Sequence, residues 1–289
     1  MPPRRPWWWC DSGVVLSAVI ALWPEGPKHP RLGPSDVHVW SMELPEAVEG
    51  AIRLDCCLSE YERARAARLV SPLDRARFSV GRGYLRTILA RYTGIEPSAI
   101  RLRTNGYGKP SLESQPLVSR ALEFNFSRSD GIALFALARG LVLGVDVELE
   151  RESTDLMEIA ERFFSVRERE MLRALPADQR RRAFYLCWSR KEAYIKARGL
   201  GMSLALDSFD VSLAPDQPAV LLAERGEPRP SHEWTLHHLE PAHGCAAALV
   251  VGRGGSASEE PPRISCYHWP RARIDRDTRS WQCESRQLH

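Results

Sequence analysis

GVDVELE (Gly144–Glu150) and WSRKEAYIKARGLG (Trp188–Gly201) are the two stretches around which the chain is organised. In the first, Val145 and Val147 alternate with Asp146 and Glu148, the period of a strand with one buried face. Both carboxylates then leave the strand on the opposite face, side by side. In the second, Glu192 and Lys196 stand four apart on a helical pattern and share one face. Three carboxylates and a lysine converge if that helix packs beside that strand. Hard oxygen donors of this kind, incomplete by themselves, suit a Mg²⁺ that completes its shell with water and phosphate oxygens. Taken singly, neither pattern is specific. D-x-E on a strand is commonly a solvated sheet face, and a Glu–Lys pair at i,i+4 is commonly a helix surface pair worth about 0.2–0.5 kcal/mol.

The wider wording is more informative: GVDVE, then IAERFFSVRE (Ile159–Glu168), then WSRKEAYIKARGLGMSLALDSFDV (Trp188–Val211). In this order and spacing the chain resembles the 4′-phosphopantetheinyl transferases, in particular the long, two-subdomain class that activates nonribosomal peptide, polyketide and fatty-acid carrier proteins. The resemblance runs from Val37 to Val251. It implies an α+β fold of two similar subdomains, a pseudo-dimer in which each half is an antiparallel sheet packed with helices, with coenzyme A in the cleft between them. It also implies a Mg²⁺-dependent enzyme that moves 4′-phosphopantetheine from coenzyme A to a serine of an apo acyl or peptidyl carrier protein. Asp146, Glu148 and Glu192 then stand where the family holds Mg²⁺. Lys196 steadies the pyrophosphate, and Glu192 is the group expected to take the serine proton.

Further residues follow from the same resemblance. Family members reach the coenzyme A phosphates with basic residues on the first two helices, and the matching positions are Arg65 and Arg77. One family lysine falls on Glu62, which leaves open whether Arg63 compensates. In TNGYGKP (Thr104–Pro110), Gly and Pro flank Lys109 in a tight loop that holds its side chain in one direction; by resemblance Lys109 meets phosphate and Tyr107 the adenine. FNFSRSDG (Phe124–Gly131) resembles the family's N-[IVF]-S-H-S strand end, with Ser127 matching and Arg128 in place of the histidine. A guanidinium binds phosphate bidentately and stays charged at any pH.

At 289 residues the chain is long enough for a sizeable core, and its net charge of +3 is small. Arginines cluster at 63–68, 75–86 and 180–182, which suits a phosphate-rich ligand or an acidic partner protein. The modest charge and the lack of a recognised motif speak against nucleic acid. Seven cysteines without C-x-x-C spacing indicate neither a zinc site nor a disulfide framework, so a reducing cytoplasm is expected. No stretch approaches the roughly 18 apolar residues of a membrane span. A monomer is expected.

Residues 1–36 open with Arg4, Arg5 and WWWC and read as a disordered extension, since Asp11–Gly13 interrupts any signal-peptide pattern. The family-like sequence starts at DVHVW (Asp36–Trp40). Leu58–Leu69 and Pro72–Tyr92 are helical by period, with Gly94 closing the second. Ile132–Ala138 and Leu141–Glu148 read as a hairpin turning at Arg139–Gly140. Ser165-x-x-Glu168 is a capping box. Cys245–Val251 reads as a last buried strand, and residues 252–289 as a polar, aperiodic, disordered tail. The expected units are therefore 37–143 and 144–251. Two rival functions remain: a relative that binds coenzyme A or a carrier protein without turnover, hinted at by Arg128 and Glu62, and an unrelated Mg²⁺ phosphohydrolase.

Overall fold

Most of the helices begin or end on local chemistry that the sequence spells out. In a computed structural model, which describes residues 23–269 except 46–47, 49–53, 114–120, 153–154, 226–232 and 254–259, α1 (Glu60–Ala67) starts on a Ser59/Glu62 capping box. Ser71 and Pro72 start α2 (Pro72–Thr93), and left-handed Gly94 (φ 70°) closes it. Asp155 caps α3 (Leu156–Phe163), and the Ser165/Glu168 box caps α4 (Val166–Ala174). The 22-residue α5 (Ala177–Arg198) ends on left-handed Gly199, φ 66°.

Eleven strands are named among the described residues: β1 (Asp36–Glu43), β2 (Leu102–Thr104), β3 (Pro110–Leu112), β4 (Leu122–Ser129), β5 (Ile132–Arg139), β6 (Val142–Leu149), β7 (Phe209–Val211), β8 (Leu221–Glu224), β9 (Trp234–Leu239), β10 (Cys245–Gly252) and β11 (Arg263–His268). They form a four-stranded sheet in the order β11-β1-β5-β4, a three-stranded sheet β6-β10-β9, and two short ribbons.

Alternation along the strands assigns their faces. In β5, Ala133, Phe135 and Leu137 join Trp40, Tyr84 and Ile88 under α2, while Leu134, Ala136 and Ala138 face the other way. That second set shares a core with Val145 and Val147 of β6 and Ala247 and Leu249 of β10. The alternate residues Ala246, Ala248 and Val250 of β10 pack under Tyr194 of α5. The order is therefore α2, first sheet, second sheet, α5, with the sheets back to back.

Four expectations are corrected. Ile132–Ala138 and Leu141–Glu148 do not make a hairpin: β5 pairs with β1 on one edge and β4 on the other, so both of its edges are full, and β6 crosses to pair with β10. Gly140 (φ 70°) still turns the chain. The tail expected to be disordered from 252 carries β11, which pairs in parallel with β1, and Trp269, which is 3% exposed. Cys245–Val251 is thus central, not the last strand, and the first sheet takes a strand from beyond both expected units. The leading extension is also tied down where it is described: the amide of Gly26 donates to the carbonyl of His268 (3.2 Å), and Trp23 packs on the inter-sheet core. Expectations for residues 1–22 and 270–289 lie outside the described residues.

Among the described residues no helix is long and apolar enough to cross a membrane. Cys56, Cys57, Cys187, Cys245 and Cys266 are free thiols.

Candidate active site

Gly144 determines how closely α5 approaches β6. A Cβ at that position would lie 2.0 Å from the carbonyl oxygen of Ala193 and 2.3 Å from the amide of Ala197, so only glycine lets the helix backbone settle on the strand. This brings Lys196 onto the acidic strand. Its Nζ stands 2.6 Å from Asp146 Oδ1 and donates to Ser127 Oγ at 2.8 Å, while the Ser127 hydroxyl donates to the same Asp146 oxygen at 2.7 Å. Glu148 Oε2 accepts from Ser129 Oγ at 3.0 Å.

The electrostatics of this group are those of three acids around one ammonium. Burial raises the Asp146 carboxyl above its ordinary value, against the pull of Lys196 and Ser127. Burial, then repulsion from Asp146, pushes Glu148 up to about 8 and Glu192 up to about 7. Burial alone would lower Lys196, but Asp146, Glu192 and Glu148 outweigh it and hold the ammonium above its ordinary value. One positive charge is too few for three carboxylates. Asp146 Oδ2 is buried with no hydrogen-bond partner. An orphaned carboxylate oxygen beside two further acids is a donor set that fits a hard divalent cation. Among the described residues, no three such side chains are already gathered in ligating positions.

A row of polar residues on β4 holds β6 in place. Asn125 Oδ1 accepts from the Val145 amide (2.8 Å), Ser127 bonds Asp146, and Ser129 bonds both Glu148 and the Leu149 amide (3.2 Å). The two strands belong to different sheets, so side chains do here what a backbone ladder does elsewhere. Of these, only Ser127 was singled out from the sequence. The period-two spacing of Asn125, Ser127 and Ser129 on a strand was the signal for the other two.

The basic residues form a second group. Arg65 lies 5.5 Å over the Phe78 ring, and Arg82 is stacked on Phe78 (5.9 Å) and Phe126 (5.3 Å). Arg77 donates to the Pro45 carbonyl (3.2 Å) and pairs with Asp130 at 3.8 Å. Arg128 keeps an exposed surface, yet partial desolvation, then Arg82, Arg77 and Arg65, outweigh Asp74 and hold its guanidinium below its ordinary value. Arg82 completes this patch and was not named from the sequence. Glu62, the departure from the expected lysine, is buried. It serves the capping box of α1 and pairs with Arg86 and, at 3.8 Å, with Arg82. Arg63 donates to the Leu58 carbonyl.

The 104–110 loop is tight, as expected, and directs Lys109 toward α5 and β6. Tyr107 is 57% exposed, as suits a contact residue. The Lys109 ammonium, expected on phosphate, instead donates to the carbonyls of Leu143 (2.9 Å) and Ala197 (3.1 Å). Burial lowers it to about 8. The carbonyls at the end of α5 are a natural seat for a cation, which is why the side chain turns there.

Comparison with known proteins bears on this group directly. The profile of the 4′-phosphopantetheinyl transferase superfamily matches residues 142–250, from β6 through β10. The 4′-phosphopantetheinyl transferase HetI of Nostoc sp. is 36% identical over 233 residues, which span 81% of this chain and 94% of that protein. The chain belongs to the 4′-phosphopantetheinyl transferase superfamily. Within that superfamily, Sfp of Bacillus subtilis is 34% identical over 61% of this chain and 75% of its own length. A 4′-phosphopantetheinyl transferase of Bacillus pumilus is 33% identical over 72% and 84% respectively. The superfamily match includes Asp146, Glu148, Glu192 and Lys196, so the acidic cluster lies within the matched span.

Proposed function

We propose that this protein transfers 4′-phosphopantetheine from coenzyme A to a serine hydroxyl of an apo acyl or peptidyl carrier protein, releasing adenosine 3′,5′-bisphosphate. The observation that carries the reading is the Lys196–Asp146 contact, with Glu148 and Glu192 beside it, in a chain of this superfamily. In the reaction the serine oxygen attacks the phosphorus that bears the pantetheine arm. The bond from that phosphorus to the bridging oxygen breaks, and the bisphosphate leaves with the electron pair.

Each group has a part that its surroundings suit. Lys196 neutralises pyrophosphate charge from a site where its own charge is secured. Arg65, Arg77, Arg82 and Arg128 supply a positive patch for the remaining phosphates, and Tyr107 offers a ring to the adenine. Glu192, one turn before Lys196 on α5, is the carboxylate that would take the serine proton. Asp146, Glu148 and Glu192 would hold a Mg²⁺, which when bound supplies charge neutralisation on the pyrophosphate oxygens. Lys109 is better read as structural than as a phosphate contact, since its ammonium already has two carbonyl partners. The pseudo-dimeric division belongs to the same reading and is supported by a long helix on the outer face of each sheet, with β11 completing the first sheet from outside the contiguous halves. Coenzyme A and the carrier protein are then its partners, in the cytoplasm.

Mass spectrometry of an apo carrier protein incubated with coenzyme A, with and without Mg²⁺, tests the proposal. A mass gain of one phosphopantetheine arm, dependent on Mg²⁺, supports it. Coenzyme A binding without a gain leaves the non-catalytic relative, and hydrolysis of coenzyme A without transfer leaves the phosphohydrolase.

A further inference from the structure

The outer edge of β6 and the last turn of α5 meet near Leu143 and Ala197, and Lys109 of the 104–110 loop bonds both. Asn105 is the hub. Its side-chain oxygen accepts from the amides of Tyr107 (3.0 Å) and Lys109 (2.9 Å), which shapes the loop, while its side-chain nitrogen donates to the carbonyl of Gly199 at 2.8 Å. Lys109 adds the bonds to Ala197 and Leu143. The fit is close: a Cβ at Gly199 would lie 3.3 Å from Lys109 Cδ and 3.4 Å from Asn105 Nδ2. Carbonyls at a helix end have no partner within the helix, and here two of them, at Ala197 and Gly199, are capped from a loop some 90 residues earlier in the chain.

We propose that Asn105 and Lys109 are positioning residues: they clamp the C-terminal turn of α5 to the 104–110 loop, so that Lys196 and Glu192 keep their place against Asp146 only while the loop is seated. The inference rests on the proposed transferase reading for its catalytic consequence. Lys196 immediately precedes Ala197, whose carbonyl Lys109 holds, so an error in the last turn is an error in the lysine. The same loop carries Tyr107, whose Cβ would lie 3.5 Å from a Cβ at Gly201. A ligand that settles on Tyr107 thereby steadies the helix end.

Asn105→Asp separates the clamp from loop shape, because the carboxylate still accepts from the Tyr107 and Lys109 amides but sets an acceptor against the Gly199 carbonyl. Lys109→Met keeps the aliphatic stem and removes both donors, and Lys109→Arg restores a cation. With the full chain, coenzyme A and an apo carrier protein, Asn105→Asp and Lys109→Met should each lower kcat by roughly tenfold with little change in KM for coenzyme A. Lys109→Arg should recover most of the loss. Hydrogen exchange at the amides of residues 195–199 should speed up in the first two variants. A raised KM with unchanged kcat overturns the proposal, because Lys109 is then a phosphate contact. Faster exchange with unchanged kcat also overturns it, because the cap is then merely structural. If the wild-type chain transfers nothing, the transferase reading has failed; exchange alone then judges the clamp, and unchanged exchange in Asn105→Asp overturns it.

Discussion

Truncation after residue 262, and Trp269→Ala in the full chain, measure what β11 contributes. Trp269 is 3% exposed, stands 5.1 Å from Trp40 centroid to centroid, and lies under the Arg91 guanidinium at 5.9 Å. Tyr267, two residues earlier, also packs on Trp40, at 5.0 Å. A buried aromatic ring removes about 150–250 Å² from water, worth ~4–6 kcal/mol at about 25 cal/mol per Å². Against this, the Trp269 indole N–H is buried without a hydrogen-bond partner, a penalty of about 1–3 kcal/mol. The difference, about 3 kcal/mol, is the expected loss in Trp269→Ala, at the low end of the range for Trp truncation in a core. In a chain of this size that lowers Tm by about 5 °C. Trp269→Phe keeps most of the ring and deletes the orphaned donor, so its loss should be about 1 kcal/mol or less. Truncation also bares the outer edge of β1, which adds a tendency to pair with other chains. Differential scanning calorimetry at one fixed scan rate reads all three. A truncated chain melting within about 2 °C of the full one would refute the packing argument for the C-terminal strand.

Asp146→Ala or Glu192→Gln should reduce phosphopantetheine transfer on the order of a hundredfold or more while circular dichroism stays unchanged; full activity of either at saturating Mg²⁺ removes that residue from the mechanism. Gly144→Ala places a Cβ 2.0 Å from the Ala193 carbonyl and should cost about 1–3 kcal/mol by overpacking, with transfer falling further than stability explains; wild-type activity per folded molecule would show that the spacing of α5 and β6 is not critical. Arg128→Ala should raise KM for coenzyme A with a smaller effect on kcat. Arg128→His should recover affinity near pH 6 more than near pH 8, because imidazolium forms as pH falls, and a pH-independent KM for the histidine variant contradicts a phosphate contact there.

The acidic strand and the helix that meets it were legible because their signals are local. A period of two separates Asp146 and Glu148 from the valines, and a spacing of four joins Glu192 to Lys196. The helix start at Ser165 and the helix stop at Gly94 were written in a few adjacent letters for the same reason. What escaped depends on who else competes for a partner. Nothing near Arg139 says that both edges of β5 are full, so a crossover looks like a hairpin. Ile264 and Cys266 on one face, with Tyr267 and Trp269 on the other, do alternate in RISCYHW, but so short a run among prolines and arginines does not stand out from a tail. Glu168 reads correctly as a cap. Its second task is not local: it pairs at 2.8 Å with the fully buried Lys191 and accepts from the Val211 amide. Lys109 illustrates the limit most directly, because a lysine in a tight loop has a direction but the sequence does not name the carbonyls that lie along it.

The junction between β4 and β6 has a consequence for how such an enzyme diversifies. Main-chain ladders are open to every residue type except proline, so most substitutions scarcely alter the angle between the strands they join. Here Asn125, Ser129 and Lys109 satisfy main-chain groups on the outer edge of β6, and Ser127 holds its Asp146 side chain, all with groups that a single codon change can lengthen, shorten or delete. The setting of one sheet against the other is therefore a heritable variable, open to small adjustments, while each sheet remains intact. Selection for a bulkier or differently shaped carrier protein has a hinge line it can retune one side chain at a time, without rebuilding either half.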